Sequence, residues 1–168
     1  GTSAGGSRAK AIIAYDEKSG NVRSGQVETS PEYTYWVIKF DGVANKELGD
    51  PEGYGKIEYA YYKMAMDSGI IMPECRIFPE NKRVHFMSKR FDRKNGYKKI
   101  HVQTLCALAH FDYNEPEAYS YEQVFQVMRQ LRLPYGDALQ MYIRLVFNVV
   151  ARNQDDHTKN ISFLMEED

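Results

Sequence analysis

Val146-Phe-Asn-Val-Val-Ala-Arg-Asn-Gln-Asp-Asp-His-Thr-Lys-Asn-Ile-Ser-Phe163 passes from the end of an apolar helix, through a polar loop, into a strand. The helix is predicted from about Pro134 to about Ala151. It is apolar nearly all round, which predicts the most buried element of the chain. Behind it, Asp155-Asp-His-Thr-Lys-Asn160 gathers two acids, a His, a Lys and an Asn. Taken alone, such a hexapeptide reads as a solvated loop at a helix C-terminus, where Lys and His are favoured anyway. Here it joins a helix to the strand-like run Ile161 to Met165. Functional groups concentrate in loops that rigid elements hold in place.

Upstream of this stretch the period of the apolar residues changes twice. Val124, Val127, Met128 and Leu131 recur at helical spacing, and Ser120-x-x-Gln123 opens that helix as a capping box. Val102, Leu105, Cys106 and Ala109 have the same spacing and predict another helix. Before Asn95-Gly96 the pattern alternates instead. Val84, Phe86 and Ser88 against His85, Met87 and Lys89 predict a strand over Arg83 to Phe91. A partner strand over Glu74 to Phe78 reaches it through the turn Pro79 to Lys82. Ile57, Tyr61, Met64 and Ser68 predict the apolar stripe of a helix from Ile57 to Ser68, closed by Gly69. Asp41 to Gly55 is a loop. Tyr33 to Phe40 is the strongest strand, with Val22 to Val27 and Ala9 to Tyr15 as further strands, and residues 1–7 favour a turn. The order predicts an α+β fold: residues 1–93 are β-rich with one helix, and residues 94–168 are helical and carry the polar loop.

A chain of 168 residues is one ordinary domain or two small lobes. At 43% hydrophobic and 27% charged it is no collagen, coiled-coil rod or disordered tail. Its longest nearly apolar run, Met141 to Val150, contains Arg144 and Asn148 and is too short to span a bilayer. With no signal-peptide pattern, the expectation is a cytoplasmic protein without membrane contact. A net charge of −1 gives no ground for bulk nucleic-acid binding. Cys75 and Cys106 make neither a disulfide framework nor a zinc set.

The chemistry is carried by spacing. Asp155 and Asn160 match the Asp-x-x-x-x-Asn of a kinase catalytic loop, in which the Asp takes or orients the proton of the attacking hydroxyl and the Asn oxygen meets magnesium. His157 adds a basic group that can meet developing phosphate charge. Lys39 lies in the apolar strand Trp36-Val-Ile-Lys-Phe40 and, by itself, is a snorkelling edge residue. Glu58 in a first helical turn is, by itself, a favourable helix-start acid. In this order the two repeat the strand Lys and helix Glu that orient nucleotide phosphates in kinases. Gly5-Gly-Ser-Arg-Ala-Lys10 can supply backbone N–H groups and charge to a phosphate, although a flexible terminus has the same composition.

Five segments bring these features into one pattern: Ser3-Ala-Gly-Gly-Ser-Arg-Ala-Lys10, Val37-Ile-Lys39, Glu58-Tyr, Lys89-Arg-Phe-Asp-Arg93 and Val146 to Phe163. In them the chain resembles the kinase core of the HipA-like toxin family, bacterial serine/threonine kinases of toxin–antitoxin modules. The resemblance implies a protein-kinase-like two-lobe core that uses ATP and magnesium (Mg2+). It implies that Asp155 is catalytic with His157 beside it, that Asn160 is a magnesium ligand, and that Lys39 with Glu58 holds the ATP phosphates. Gly5, Gly6 and Lys10 would cradle the phosphates, and Lys89, Arg90 and Phe91 would be the hinge that meets adenine. Ser3 matches a serine that family members autophosphorylate. The implied partners are a protein substrate and a helix-turn-helix antitoxin. The competing expectation is a non-catalytic nucleotide- or partner-binding module on the same scaffold. Only eight residues follow Asn160, so the family's second metal-binding Asp is expected to be missing, along with its N-terminal β subdomain and much of its helical lobe. The 168-residue chain is therefore expected to show little turnover by itself and to expose apolar surface.

Overall fold

A computed structural model describes residues 9–43, 53–94, 96–111 and 119–165. It is a mixed α+β structure with a five-stranded antiparallel sheet and four helices. The chain divides into two units, Gly1–Met66 with Met72–Lys99, and Asp67–Ile71 with Ile100–Asp168.

The first unit is built on strands β1 (Lys10–Tyr15), β2 (Val22–Ser24), β3 (Thr34–Lys39), β4 (Cys75–Glu80) and β5 (Arg83–Lys89), in the order β2-β1-β3-β5-β4. β2 is shorter than the predicted Val22 to Val27. Gly25 crosses directly over β1, its N–H donating to the Ile12 carbonyl at 3.0 Å, and a Cβ there would stand 2.5 Å from the Ile12 side chain. The predicted turn Pro79 to Lys82 is tighter than expected, because β4 continues through Pro79 to Glu80. β4 is an edge strand, where a missing N–H is tolerated. The turn itself rests on Asn81, whose φ of 53° is left-handed. Trp36, Ile38 and Met87 form the core, with Ala11, Ile13, Tyr15 and Phe78 packed against it. His85, Phe86 and Met87 are buried in succession, so the middle of β5 is covered on both faces. A small hairpin of β6 (Arg93–Lys94) and β7 (Lys98–Lys99) follows.

Helix α1 (Tyr54–Asp67) corrects the predicted stripe. Ile57, Tyr61 and Met64 are exposed, Ile57 at 51%, while Gly55 and Ala65 are buried and Glu58, Tyr59 and Tyr62 are half-buried. The reason is contact distance. A Cβ on Gly55 would stand 2.1 Å from the Val84 carbonyl oxygen, so the helix meets β5 through its smallest residue. That approach fixes its rotation, and the larger apolar side chains turn outward.

The second unit contains β8 (His101–Thr104), α2 (Leu105–Leu108), α3 (Tyr121–Gln130), α4 (Tyr135–Val150) and β9 (Ser162–Met165). The helix expected to start at Val102 starts only at Leu105. Thr104 caps it, its Oγ1 accepting from the Ala107 N–H at 3.2 Å. Val102 instead pairs with Leu164, because β9 returns antiparallel to β8. The capping box of α3 is present, and Gln123 Oε1 accepts the Ser120 N–H at 2.8 Å. Leu105, Val124 and Met128 form this unit's core, and α4 contributes Ala138 and Met141 to it. The expectation that α4 is the most buried element is overturned: none of its residues is buried, and Tyr142, Val146, Val149 and Val150 are exposed. Only one side of α4 packs against α3, so an all-round apolar composition did not become all-round burial. No described helix is long and apolar enough to cross a membrane.

Candidate functional site

At the end of β3, Lys39 Nζ lies 2.6 Å from Glu58 Oε2 on the second turn of α1. The side chains are 39% and 27% exposed. A pair so accessible contributes at most about 1 kcal/mol to stability. Its consequence is orientation: the ammonium is held in one direction and keeps donors for another acceptor. Lys39 also stands 5.7 Å from the centre of the Phe86 ring, its cross-strand partner. Lys10 lies opposite Lys39 in the β1–β3 register. Burial, then the Lys39 charge, lowers the Lys10 pKa from the ordinary lysine value, and Glu58 opposes that shift. Glu58 thus acts on both ammonium groups, Lys39 by direct contact and Lys10 through its charge. Ser3, Gly5 and Gly6 lie outside the described residues.

The α1 end of this pair is fixed by groups that have no local signature in the sequence. The Asp41 carboxylate accepts the Gly53 N–H at 2.9 Å and the Tyr54 N–H at 3.2 Å, capping the helix that carries Glu58. Asp41 in turn donates its own N–H to His85 Nδ1 at 2.9 Å. A cap is sought next to its helix in sequence, and this one lies twelve residues upstream of Gly53.

Of the predicted hinge residues, the Lys89 N–H is engaged by the Glu74 carbonyl and the Arg90 N–H by the Tyr35 carbonyl, both at 2.8 Å. Any base edge meeting this segment would therefore use Phe91 or the carbonyls. The Arg90 side chain forks onto Asp92, which also receives Arg93 Nη1 at 2.7 Å. Burial pushes the Asp92 carboxyl up, but the two guanidiniums outweigh it and hold the pKa below the usual carboxylate range. Arg90 is thus a member of an internal ion cluster, which its assignment to nucleotide did not anticipate.

In the second unit, Asp155, His157 and Asn160 come together. His157 Nε2 lies 3.3 Å from Asp155 Oδ1. The Asp155 main chain is held on both sides: its N–H donates to Asn153 Oδ1 at 3.1 Å, and its carbonyl accepts from Asn160 Nδ2. Asn160 donates one of its two amide N–H groups in this way, and its Oδ1 is an acceptor. The loop is anchored below by the Cys106 N–H on the Thr158 carbonyl (3.1 Å) and the Leu105 N–H on the Ile161 carbonyl (2.8 Å). Asp156 accepts from the Tyr121 hydroxyl, which itself accepts from Asn148 Nδ2 at 3.0 Å. Burial and then Asp156 push the Tyr121 pKa up to about 12. The Asp155 side chain is 83% exposed: the loop fixes its backbone, and the carboxylate stands at the surface beside His157.

Lys10 and Lys39 provide paired cations, whereas among the described residues no three His, Cys, Asp or Glu side chains converge on one point. Glu166, Glu167 and Asp168 lie outside the described residues. The family model for the HipA-like C-terminal domain matches residues 2–168. No curated protein matches the chain.

Proposed function

The chain belongs to the HipA-like C-terminal domain family, and on that footing we propose that it is the ATP-binding phosphotransfer core of a serine/threonine protein kinase. The observation that carries the proposal is the strand Lys–helix Glu pair, Lys39 to Glu58 at 2.6 Å, with Lys10 in register beside it. In this reading the two units are the lobes of a kinase-like core. Lys39 and Lys10 hold the ATP phosphates, the Gly5-Gly6 segment cradles them, and Phe91 with its neighbours meets the base. Asp155 accepts the proton of the attacking hydroxyl as the γ-phosphoryl leaves ADP, and His157 keeps the carboxylate turned toward that hydroxyl. Magnesium, when bound with the nucleotide, neutralises charge between the phosphates. Asn160 offers it one amide oxygen. Among the described residues no three His, Cys, Asp or Glu side chains converge to complete its shell. The substrate is a protein hydroxyl, Ser3 of this chain among the candidates, and a helix-turn-helix antitoxin is the proposed partner in a cytoplasmic toxin–antitoxin module.

The second reading is a non-catalytic nucleotide- or partner-binding module on the same scaffold, and its nucleotide-binding form shares the Lys39 site with the first. The kinase and the nucleotide-binding module both require ATP to bind at Lys39. Calorimetric titration with ATP should give a single site, and Lys39→Met should weaken it by about tenfold or more. Equal affinity in the two proteins would remove the phosphate clamp and with it the kinase and the nucleotide-binding module.

A further inference from the structure

We propose that His85, 2% exposed, is the positioning residue of the Lys39–Glu58 clamp, acting as the tautomer with its proton on Nε2. The inference rests on the reading of that pair as the phosphate clamp.

The tautomer follows from the partners. The Asp41 backbone N–H can only donate, and it points at His85 Nδ1 from 2.9 Å. Nδ1 therefore carries a lone pair. The ring proton sits on Nε2, which lies 3.1 Å from the Glu80 carboxylate, an acceptor. The Phe40 ring closes edge-on over the imidazole at 5.3 Å. His85 is thus a fixed acceptor on β5, oriented by Glu80 from the edge strand β4.

What it holds is the junction between the two ends of the clamp. Asp41 lies two residues after Lys39, so the bond from His85 ties down the end of β3. The Asp41 carboxylate then takes the first N–H groups of α1 at Gly53 and Tyr54. Glu58 stands one helical turn further on. One buried ring thereby sets both the strand that presents Lys39 and the helix that presents Glu58. Gly55 against the Val84 carbonyl brings the same helix to the residue beside His85.

The two halves of the imidazole can be replaced separately. His85→Asn puts an amide oxygen near the Nδ1 position and keeps the acceptor for Asp41. His85→Gln extends an amide toward the Nε2 position and loses that acceptor. ATP affinity and melting temperature are measured for wild type, His85→Asn, His85→Gln, Lys39→Met and the Lys39→Met/His85→Gln double variant. The inference predicts about tenfold weaker ATP binding in His85→Gln, recovery to within about threefold in His85→Asn, and no further loss from His85→Gln once Lys39 is gone. Wild-type affinity in His85→Gln beside a weakened Lys39→Met would overturn the role of His85 and leave the clamp standing. Wild-type affinity in Lys39→Met would overturn the clamp itself, and the positioning role with it. The wild-type protein supplies a readout independent of folding in the variants: the ring 15N shifts of His85 should report a protonated Nε2 and a bare Nδ1. A protonated Nδ1 would overturn the inference.

Discussion

Asp92 and Tyr121 are the two titratable side chains whose environments make sharp claims at the scale of single residues. Asp92 is drawn below the usual carboxylate range by Arg90 and Arg93, against the effect of burial. A carboxyl with a depressed folded pKa contributes stability above its unfolded pKa of about 3.9 and loses it as pH falls through the lower folded value. Asp92→Asn should therefore cost about 1–3 kcal/mol at pH 7, and the difference from wild type should shrink below about pH 4, as read by urea unfolding across pH. Tyr121 has the opposite sign. Its pKa is raised to about 12, so its contribution is complete below the unfolded value of about 10 and fades as pH climbs through 12. Tyr121→Phe leaves Asp156 and Asn148 without their shared partner and should cost about 1–3 kcal/mol at neutral pH. An unchanged urea midpoint would mean that water replaces the hydroxyl. Neither cluster was legible in the sequence as a stabilising group. Lys89-Arg-Phe-Asp-Arg93 reads equally as a hinge, and Tyr121 lies 35 residues from Asp156 in the chain. The Lys39–Glu58 pair was legible, because residue type and order along the chain suffice when the elements are strand and helix.

At the scale of elements, Gly55 decides where α1 sits. Ala is the better helix former by about 1 kcal/mol, so propensity alone predicts that Gly55→Ala stabilises. Geometry predicts the reverse. The added methyl would lie 2.1 Å from a backbone oxygen, and relieving such a clash means moving the helix. Gly55→Ala should lower stability by about 1–3 kcal/mol and weaken ATP binding, since Glu58 travels with the helix. A gain in stability with unchanged ATP affinity would show that β5 yields instead. This position also marks where periodicity failed. The stripe Ile57, Tyr61, Met64 is a true helical repeat, but the helix packs by its small face, which carries no hydrophobic signal. The hairpin strands β4 and β5 and the helix α3 were legible because turn and cap signals sit next to them. The pairing of β8 with β9 was not: it joins residues far apart in the chain, and the Val102 to Ala109 spacing mimics a helix.

For the whole molecule, each unit carries its own polar cluster: the Lys39–Glu58 pair on the five-stranded sheet, and a loop that fixes the Asp155 backbone from both sides. The mixture of strands and helices could be read from the change of period along the sequence. Exposed apolar surface was expected as well, but not its place on α1 and α4, since an apolar helix announces that it will pack and not what it will pack against. Transfer of the γ-phosphoryl group tests the function directly, because binding alone is common to both readings. The protein that carries this sequence is incubated with γ-labelled ATP and magnesium, and label on serine is followed in wild type, Asp155→Ala and Asp156→Ala. If Asp155 takes the hydroxyl proton, Asp155→Ala should lose about two to four orders of magnitude in rate with its ATP affinity intact. Asp156→Ala, which removes the Tyr121 contact, should lose far less. Label incorporated by Asp155→Ala at the wild-type rate would exclude Asp155 from the chemistry and end the kinase reading of this loop.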